Sequence, residues 1–323
     1  MNERAVPPAS HRPQRVAILA LGMALGSAVG ACNTARAKSQ GTTAEVTRAT
    51  LSLGAAHPRL RPAQRSPRDN TPGGSSLASP EQTPVCPPNM ARIDDFCVDR
   101  YEAVLVERGP DGKEIAHPAH DAPKKGVRYE ARSIRGVRPQ AYICQIDSEQ
   151  ACQNAGKRLC SVSEWYTACR GSVRRTYPYG DRYARGKCNS GKPHLLGRMF
   201  GNNARLWSYD NFNNPRLNQE PGFLSATGEY EQCVSDYGAY DMVGNVHEWV
   251  SDRVDPSLGT KVKLLSGVQN ATYRNTGNGI FMGGFYSTTD QQGEGCHFTT
   301  VGHERRYHDY STGFRCCQDL SRR

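Results

Sequence analysis

No aromatic side chain occurs before Phe96; all 8 Phe, 3 Trp and 15 Tyr lie from that position on. A packed core is hard to build without large apolar side chains, so a folded domain is expected only from about residue 85. Charge divides the same way. Residues 1–84 carry 10 Lys/Arg against 4 Asp/Glu, whereas residues 85–323 carry 31 against 27. The formal charge of +10 therefore belongs mainly to an N-terminal arm. The nearly balanced remainder offers no footprint for a nucleic-acid groove, and no nucleic-acid partner is expected. With 37% apolar residues the chain is no multi-span membrane protein.

The N-terminus reads as an export signal. Arg12 and Arg15 precede an uncharged apolar run, Val16 to Ala31, that is short for a permanent membrane helix. The run closes Val29-Gly30-Ala31-Cys32, small residues directly before a cysteine, and resembles the bacterial lipobox. Lipidation at Cys32 is expected, with residues 1–31 removed as signal peptide. An ordinary cleaved signal with a nearby cysteine is the alternative. Asn33 in place of Asp leans toward the outer membrane. Residues 32–84 are rich in Ala, Ser, Thr, Pro, Arg and Gly, including Pro72-Gly73-Gly74-Ser75-Ser76, and read as a disordered tether. The expected location is thus the bacterial cell envelope, with a lipid anchor to the membrane.

Eleven cysteines follow Cys86 inclusive, and none shows the doubled C-x2-C spacing of a zinc ribbon. In an exported chain they read as disulfides, with one left over as a free thiol or an intermolecular bond. The expected pairs are Cys86 with Cys97, and Cys296 with Cys316 or Cys317. The vicinal Cys316-Cys317 should send its sulfurs to opposite faces of a terminal strand. The cluster Cys296-His297, His303 and His308 contains good zinc or copper ligands but matches no metal motif, so structural histidines are the stronger reading.

Regular structure is sparse. Ser148 to Gly156 reads as a helix with a capping residue and a terminal glycine. Ser161-Val162-Ser163-Glu164 fits a capping box, with Gly171 as the stop and Trp165 and Cys169 on one face. Phe96-Cys97-Val98 and Asn245 to Val250 are strand-like. The fold class is α+β, with long loops that need disulfide staples.

These motifs, taken in order, are Cys97-Val98-Asp99-Arg100-Tyr101-Glu102, Ala155-Gly156-Lys157-Arg158-Leu159-Cys160, Glu164-Trp165, Tyr177-Pro178-Tyr179-Gly180-Asp181, Cys188-Asn189, Tyr240 to Trp249, Gly283-Gly284 and Gly313-Phe314-Arg315-Cys316. In this order and spacing the set resembles the formylglycine-generating enzyme family, the sulfatase-modifying factor domains, over residues 86–318. The resemblance implies a C-type-lectin-like fold of short helices on a twisted sheet. It implies an activity, oxidation of a sulfatase cysteine to formylglycine with oxygen and a copper ion on two thiolates. The family's two cysteines follow a Gly-Gly-Ser segment. The matching stretch here has Phe285 for the serine, Thr288 for the first cysteine and Gly293 near the second. Neither residue gives a thiolate, so copper is not expected. The resemblance also implies calcium on the segment from Asp241, through its own oxygen, the Gly244 and Val246 carbonyls, and Glu248. His247 replaces the usual aromatic there. A hydrogen-bonded turn at Gly244-Asn245 is the alternative to calcium.

The leading expectation is therefore an envelope lipoprotein whose family domain binds an envelope protein or a cell-wall glycan without oxidising cysteine. The alternative is an oxidase of the same family, or a relative with altered chemistry. A metal enzyme built on Cys296 to His308 is a third, weaker reading.

Overall fold

The computed structural model describes residues 85–320; the signal segment, Cys32 and the tether lie outside the described residues. Eleven short strands occur among these residues: β1 (Met90–Ile93), β2 (Phe96–Asp99), β3 (Ala103–Arg108), β4 (Glu114–Ala116), β5 (Tyr129–Ser133), β6 (Arg158–Leu159), β7 (His247–Arg253), β8 (Gly279–Met282), β9 (Thr299–Thr300), β10 (Thr312–Phe314) and β11 (Cys316–Asp319). Two of the three longer helices are α1 (Gln145–Asn154) and α2 (Val162–Arg170). One- and two-turn pieces follow as α3 (Leu195–Phe200), α4 (Tyr209–Phe212), α5 (Arg216–Gln219) and α6 (Leu258–Lys261), and then α7 (Ser266–Arg274).

The class is mixed α and β, as expected, but the strands form three small sheets rather than one. Their orders are β1-β2-β11-β6, β10-β7-β8-β9 and β4-β3-β5. The C-terminal strand β11 lies between β2 and β6, with Cys317 opposite Val98 and Arg158, and Cys316 opposite Leu159. The two ends of the domain therefore close in one sheet. β10 pairs parallel with β7, Phe314 against Trp249, which carries the Gly313-Phe314-Arg315 segment alongside the strand that begins at His247.

Local chemistry explains both longer helices. Ser161 caps α2, its Oγ accepting from the Glu164 amide, while the Glu164 carboxylate accepts from the Ser161 amide. Gly171 ends it at φ 71°. Trp165 and Cys169 face the core together, fully buried. Helix α1 begins three residues before the sequence suggested. Cys144 is its N-cap, with Sγ accepting from the Asp147 amide, and Ser148 instead bonds back to the Cys144 carbonyl at 2.8 Å. Serine inside a first turn satisfies itself this way and so mimics a cap in sequence.

Sulfur ties the elements together. Cys86–Cys97 closes the β1–β2 hairpin as expected. The remaining guesses need correction: Cys296 bonds Cys169 on α2, not the C-terminal strand, while Cys152 takes Cys316 and Cys160 takes Cys317. Strand alternation separates the two C-terminal sulfurs. Cys316 joins the core cluster with Leu105, Trp249 and Phe281, whereas Cys317 joins the cluster with Trp165 and Met282. The vicinal pair does send its sulfurs opposite ways. Cys188 pairs with Cys233 and Cys144 is also disulfide-bonded, so no cysteine among the described residues is free and the expected spare thiol is absent.

Candidate functional site

Two neighbouring regions carry the motifs. The first is a buried charge network. Arg315, fully buried, forks onto Glu248, with Nε–Oε2 at 2.6 Å and Nη2–Oε1 at 2.7 Å. Trp165 Nε1 donates to the same Glu248 Oε2 at 2.7 Å. The guanidinium also reaches the carbonyls of Asp99 and Tyr240. Glu102 lies close by, its Oε2 accepting from Asn245 Nδ2 at 2.7 Å and its Oε1 from the Val246 amide. Asp241 accepts from the Gly228 amide through Oδ2 at 2.6 Å, and its Oδ1 is buried without a partner. Burial, then the negative charges of Asp241 and Glu248, pushes the Glu102 carboxyl well up. Burial likewise pushes Asp241 up to about 7. Three carboxylates thus surround one guanidinium, and burial together with their mutual repulsion disfavours the charged forms of Glu102 and Asp241.

The second region is an open cleft of about 400 Å³, lined by Tyr177, Tyr183, Val243, Thr288, Asp290 and Phe298 among others. Its floor depends on Gly283 and Gly284, at φ 81° and 74°. A Cβ on Gly283 would come within 2.5 Å of the Met242 carbonyl and 2.8 Å of the Trp165 ring, so the network and the cleft share a wall that admits only glycine. Thr288 caps the turn: its Oγ1 accepts from the Phe285 amide at 2.7 Å. Gly293 sits at φ 122°, where a Cβ would fall 2.5 Å from the His297 carbonyl oxygen. The nearby Cys296 is fully buried and oxidised.

Residues 69–320 match the Sulfatase-modifying factor enzyme 1-like domain family. The chain belongs to that family. It is 27% identical over 165 residues to the inactive C-alpha-formylglycine-generating enzyme 2 of Mus musculus, spanning 49% of this chain and 46% of the relative. It is 32% identical over 120 residues to the formylglycine-generating enzyme of Mus musculus, spanning 36% of this chain and 28% of that one. The chain thus matches less than half the length of these curated relatives. Among solved structures it is similar to CarF at 16% identity, TM-score 0.38, over 70% of this chain and 87% of CarF.

Within this family domain the positions read from sequence fall as follows. Thr288 borders the cleft with Gly293, and neither supplies sulfur. Asp241 and Glu248 meet at Arg315, joined by Glu102 and Asp99, whose roles the sequence did not reveal. Asp99 is held by Lys157 at 2.7 Å. His247 stands in for an aromatic. It packs on Phe281, Phe285 and Phe298 at 4.6–5.3 Å between ring centroids, and burial pulls it down to about 3, so it stays neutral. The other histidines are dispersed. His297 Nδ1 meets the Tyr166 hydroxyl at 2.6 Å, His303 stacks between Phe281 and Tyr307, and His308 meets the Tyr209 hydroxyl. Among the described residues no group of three His, Cys, Asp or Glu could hold a metal ion. For calcium, the orphaned Asp241 Oδ1 and the excess negative charge fit the expected donor set, while both oxygens of Glu248 are engaged by Arg315.

Proposed function

We propose that this chain is a non-oxidising member of its family, a binding module whose ligand enters the cleft beside Thr288. The observation that carries this is the state of sulfur. The two matching positions are Thr288 and Gly293, Gly293 has no room for a side chain, and every cysteine among the described residues is bonded. Soft thiolates are what suit a copper ion, and the cleft has none to offer. A relative named as inactive is consistent with this reading. The test incubates the purified full chain with a Cys-x-Pro-x-Arg peptide, copper and oxygen. No aldehyde is expected, and aldehyde formation above the no-enzyme blank overturns the proposal.

The same reading includes display on the bacterial envelope through a lipid on Cys32, facing an envelope protein or a cell-wall glycan, with a C-type-lectin-like domain at the end of the tether. The small residues before Cys32 and the proline- and glycine-containing stretch after it support this. Mass spectrometry of the Cys32 peptide from membranes should show a diacylglyceryl thioether. A disulfide between Cys32 and Cys144, whose partner is not among the five pairs above, would rule it out.

Calcium belongs to the proposal as well, on the unpartnered oxygen of Asp241 and the Gly244 and Val246 carbonyls, with Glu248 joining only by leaving Arg315. A divalent cation there offsets the excess carboxylate charge and fixes the loop; a ligand bound only by the folded state raises the melting temperature. Chelator should lower Tm at neutral pH, and an unchanged Tm removes calcium from the account.

A further inference from the structure

We infer that the surface around Trp207 is a second binding site, separate in its residues from the cleft, and that it takes an acidic polysaccharide. Trp207 is 61% exposed, whereas Trp165 and Trp249 are fully buried. It is not a loose side chain. The His194 ring meets it edge-on at 4.9 Å and Phe212 lies 6.1 Å away, so one indole face is backed by protein. Tyr209, also exposed, continues the surface. A fixed, solvent-facing indole is costly to leave uncovered and suits the apolar face of a sugar ring.

Charge selects the kind of sugar. Residues 182–216 carry seven Lys/Arg against Asp210 alone, while the rest of residues 85–320 carries 22 Lys/Arg against 26 Asp/Glu. Of those seven, Arg205 and Arg216 are exposed on the segments flanking Trp207, while the exposed Arg198 pairs with Glu220 at 3.3 Å. Guanidinium groups fork onto carboxylates, so a uronate-bearing chain is the matching anion. The same stretch is amide-rich, with Asn202, Asn203, Asn211, Asn213 and Asn214. Most of these amides hold the backbone around Trp207, as Asn203 does at Phe200 and Arg205 and Asn211 at Arg205 and Leu206, so the indole stands on a fixed polar loop, which disfavours burial in a lipid acyl layer. A single exposed indole also lacks the series of stacking rings that single-stranded nucleic acid uses.

The test is affinity electrophoresis of the full chain through polygalacturonate, with dextran as the neutral polymer and phosphatidylcholine–phosphatidylglycerol vesicles in a parallel sedimentation assay. Retardation by polygalacturonate and not by dextran is expected, weakening as salt rises. Trp207→Ala should weaken binding by about 10-fold, the equivalent of ~1.4 kcal/mol. Arg205→Gln with Arg216→Gln should do the same while flattening the salt dependence. Both changes are at exposed positions and should leave Tm within a degree or two, which separates lost binding from lost fold. No retardation by polygalacturonate, equal retardation by dextran, an unaffected Trp207→Ala variant, or sedimentation with vesicles without polymer binding each overturns the proposal.

Discussion

The buried network and the cleft meet at Gly283 and the Trp165 ring, yet they treat the motif positions in opposite ways. The network keeps the motif residues and their partners: Glu248, Arg315, Trp165 and Asn245 are all engaged. The cleft holds Gly283 and Gly284 in left-handed conformations, but has Thr288 and Gly293 where the resemblance implies thiols. On the function proposed above, scaffold and reactivity are separable in this domain. A buried guanidinium cannot lose its carboxylates without leaving an uncompensated charge, whereas a thiol facing solvent can be lost without harm to folding.

The comparison can be broken most forcefully at Arg315. Arg315→Met leaves Glu248, Glu102 and Asp241 without a cation, and the cost should be about 3–5 kcal/mol. Little soluble protein and a lost urea transition are expected; a variant that unfolds at the wild-type midpoint would show that the network is not what holds the domain. Next is Gly293→Cys, which restores one family position. Its Cβ must displace the His297 carbonyl, and the left-handed backbone adds strain, so a loss of roughly 2–4 kcal/mol is expected with no gain of aldehyde-forming activity. Activity gained in the Thr288→Cys, Gly293→Cys double variant would show that the cleft is one step from catalysis.

Acid–base behaviour sharpens the comparison further. His247, held at about 3 in the folded state against an ordinary 6.5, is neutral where the unfolded chain is protonated, so stability falls as pH drops from about 6.5 toward 3. Asp241, held at about 7 against an ordinary 3.8, acts the other way: its contribution is full below about 4 and is lost as pH rises through 7. The two slopes oppose each other and nearly cancel between about pH 4 and 6.5, so denaturation measured in chelator should give a broad plateau there. His247→Phe should turn the plateau into a fall with rising pH, and Asp241→Asn into a rise, each at about 1.4 kcal/mol per pH unit. A plateau unchanged in both variants would discard this assignment. The smallest effect belongs to Thr288→Val, which strands the Phe285 amide and should cost about 1–2 kcal/mol, while Thr288→Ser should cost under ~1.

Legibility in sequence followed the range of the interaction. Helix α2 was readable because its capping box and glycine stop act within a few residues. The β1–β2 closure was readable because Cys86 and Cys97 are neighbours across one hairpin. The start of α1 was missed because a cysteine, bonded elsewhere, took the capping position from Ser148. The partner of Cys296 was missed because Cys169 and Cys317 face the same core cluster as Cys296, and Cys317 is taken by Cys160 next to its paired strand, a choice that spacing does not encode. Glu102 was visible only as part of a motif; its place beside Arg315 depends on contacts more than 140 positions apart in sequence. Gly293 read as a missing cysteine, but the structural reason, a backbone oxygen where Cβ would lie, required the fold.

The bonds from Cys316 to Cys152 and from Cys317 to Cys160 span sequence separations of 164 and 157 residues. For a domain held by its N-terminal end, this sets a mechanical limit. Tension applied between residue 85 and the C-terminus passes from Cys152 directly to Cys316, so the long intervening loop, with the cleft and the Trp207 surface on it, bears none of the load. A partner pulling on the chain ends could extend only the residues outside that covalent shortcut, and the segments that carry the cleft and Trp207 could not be drawn out.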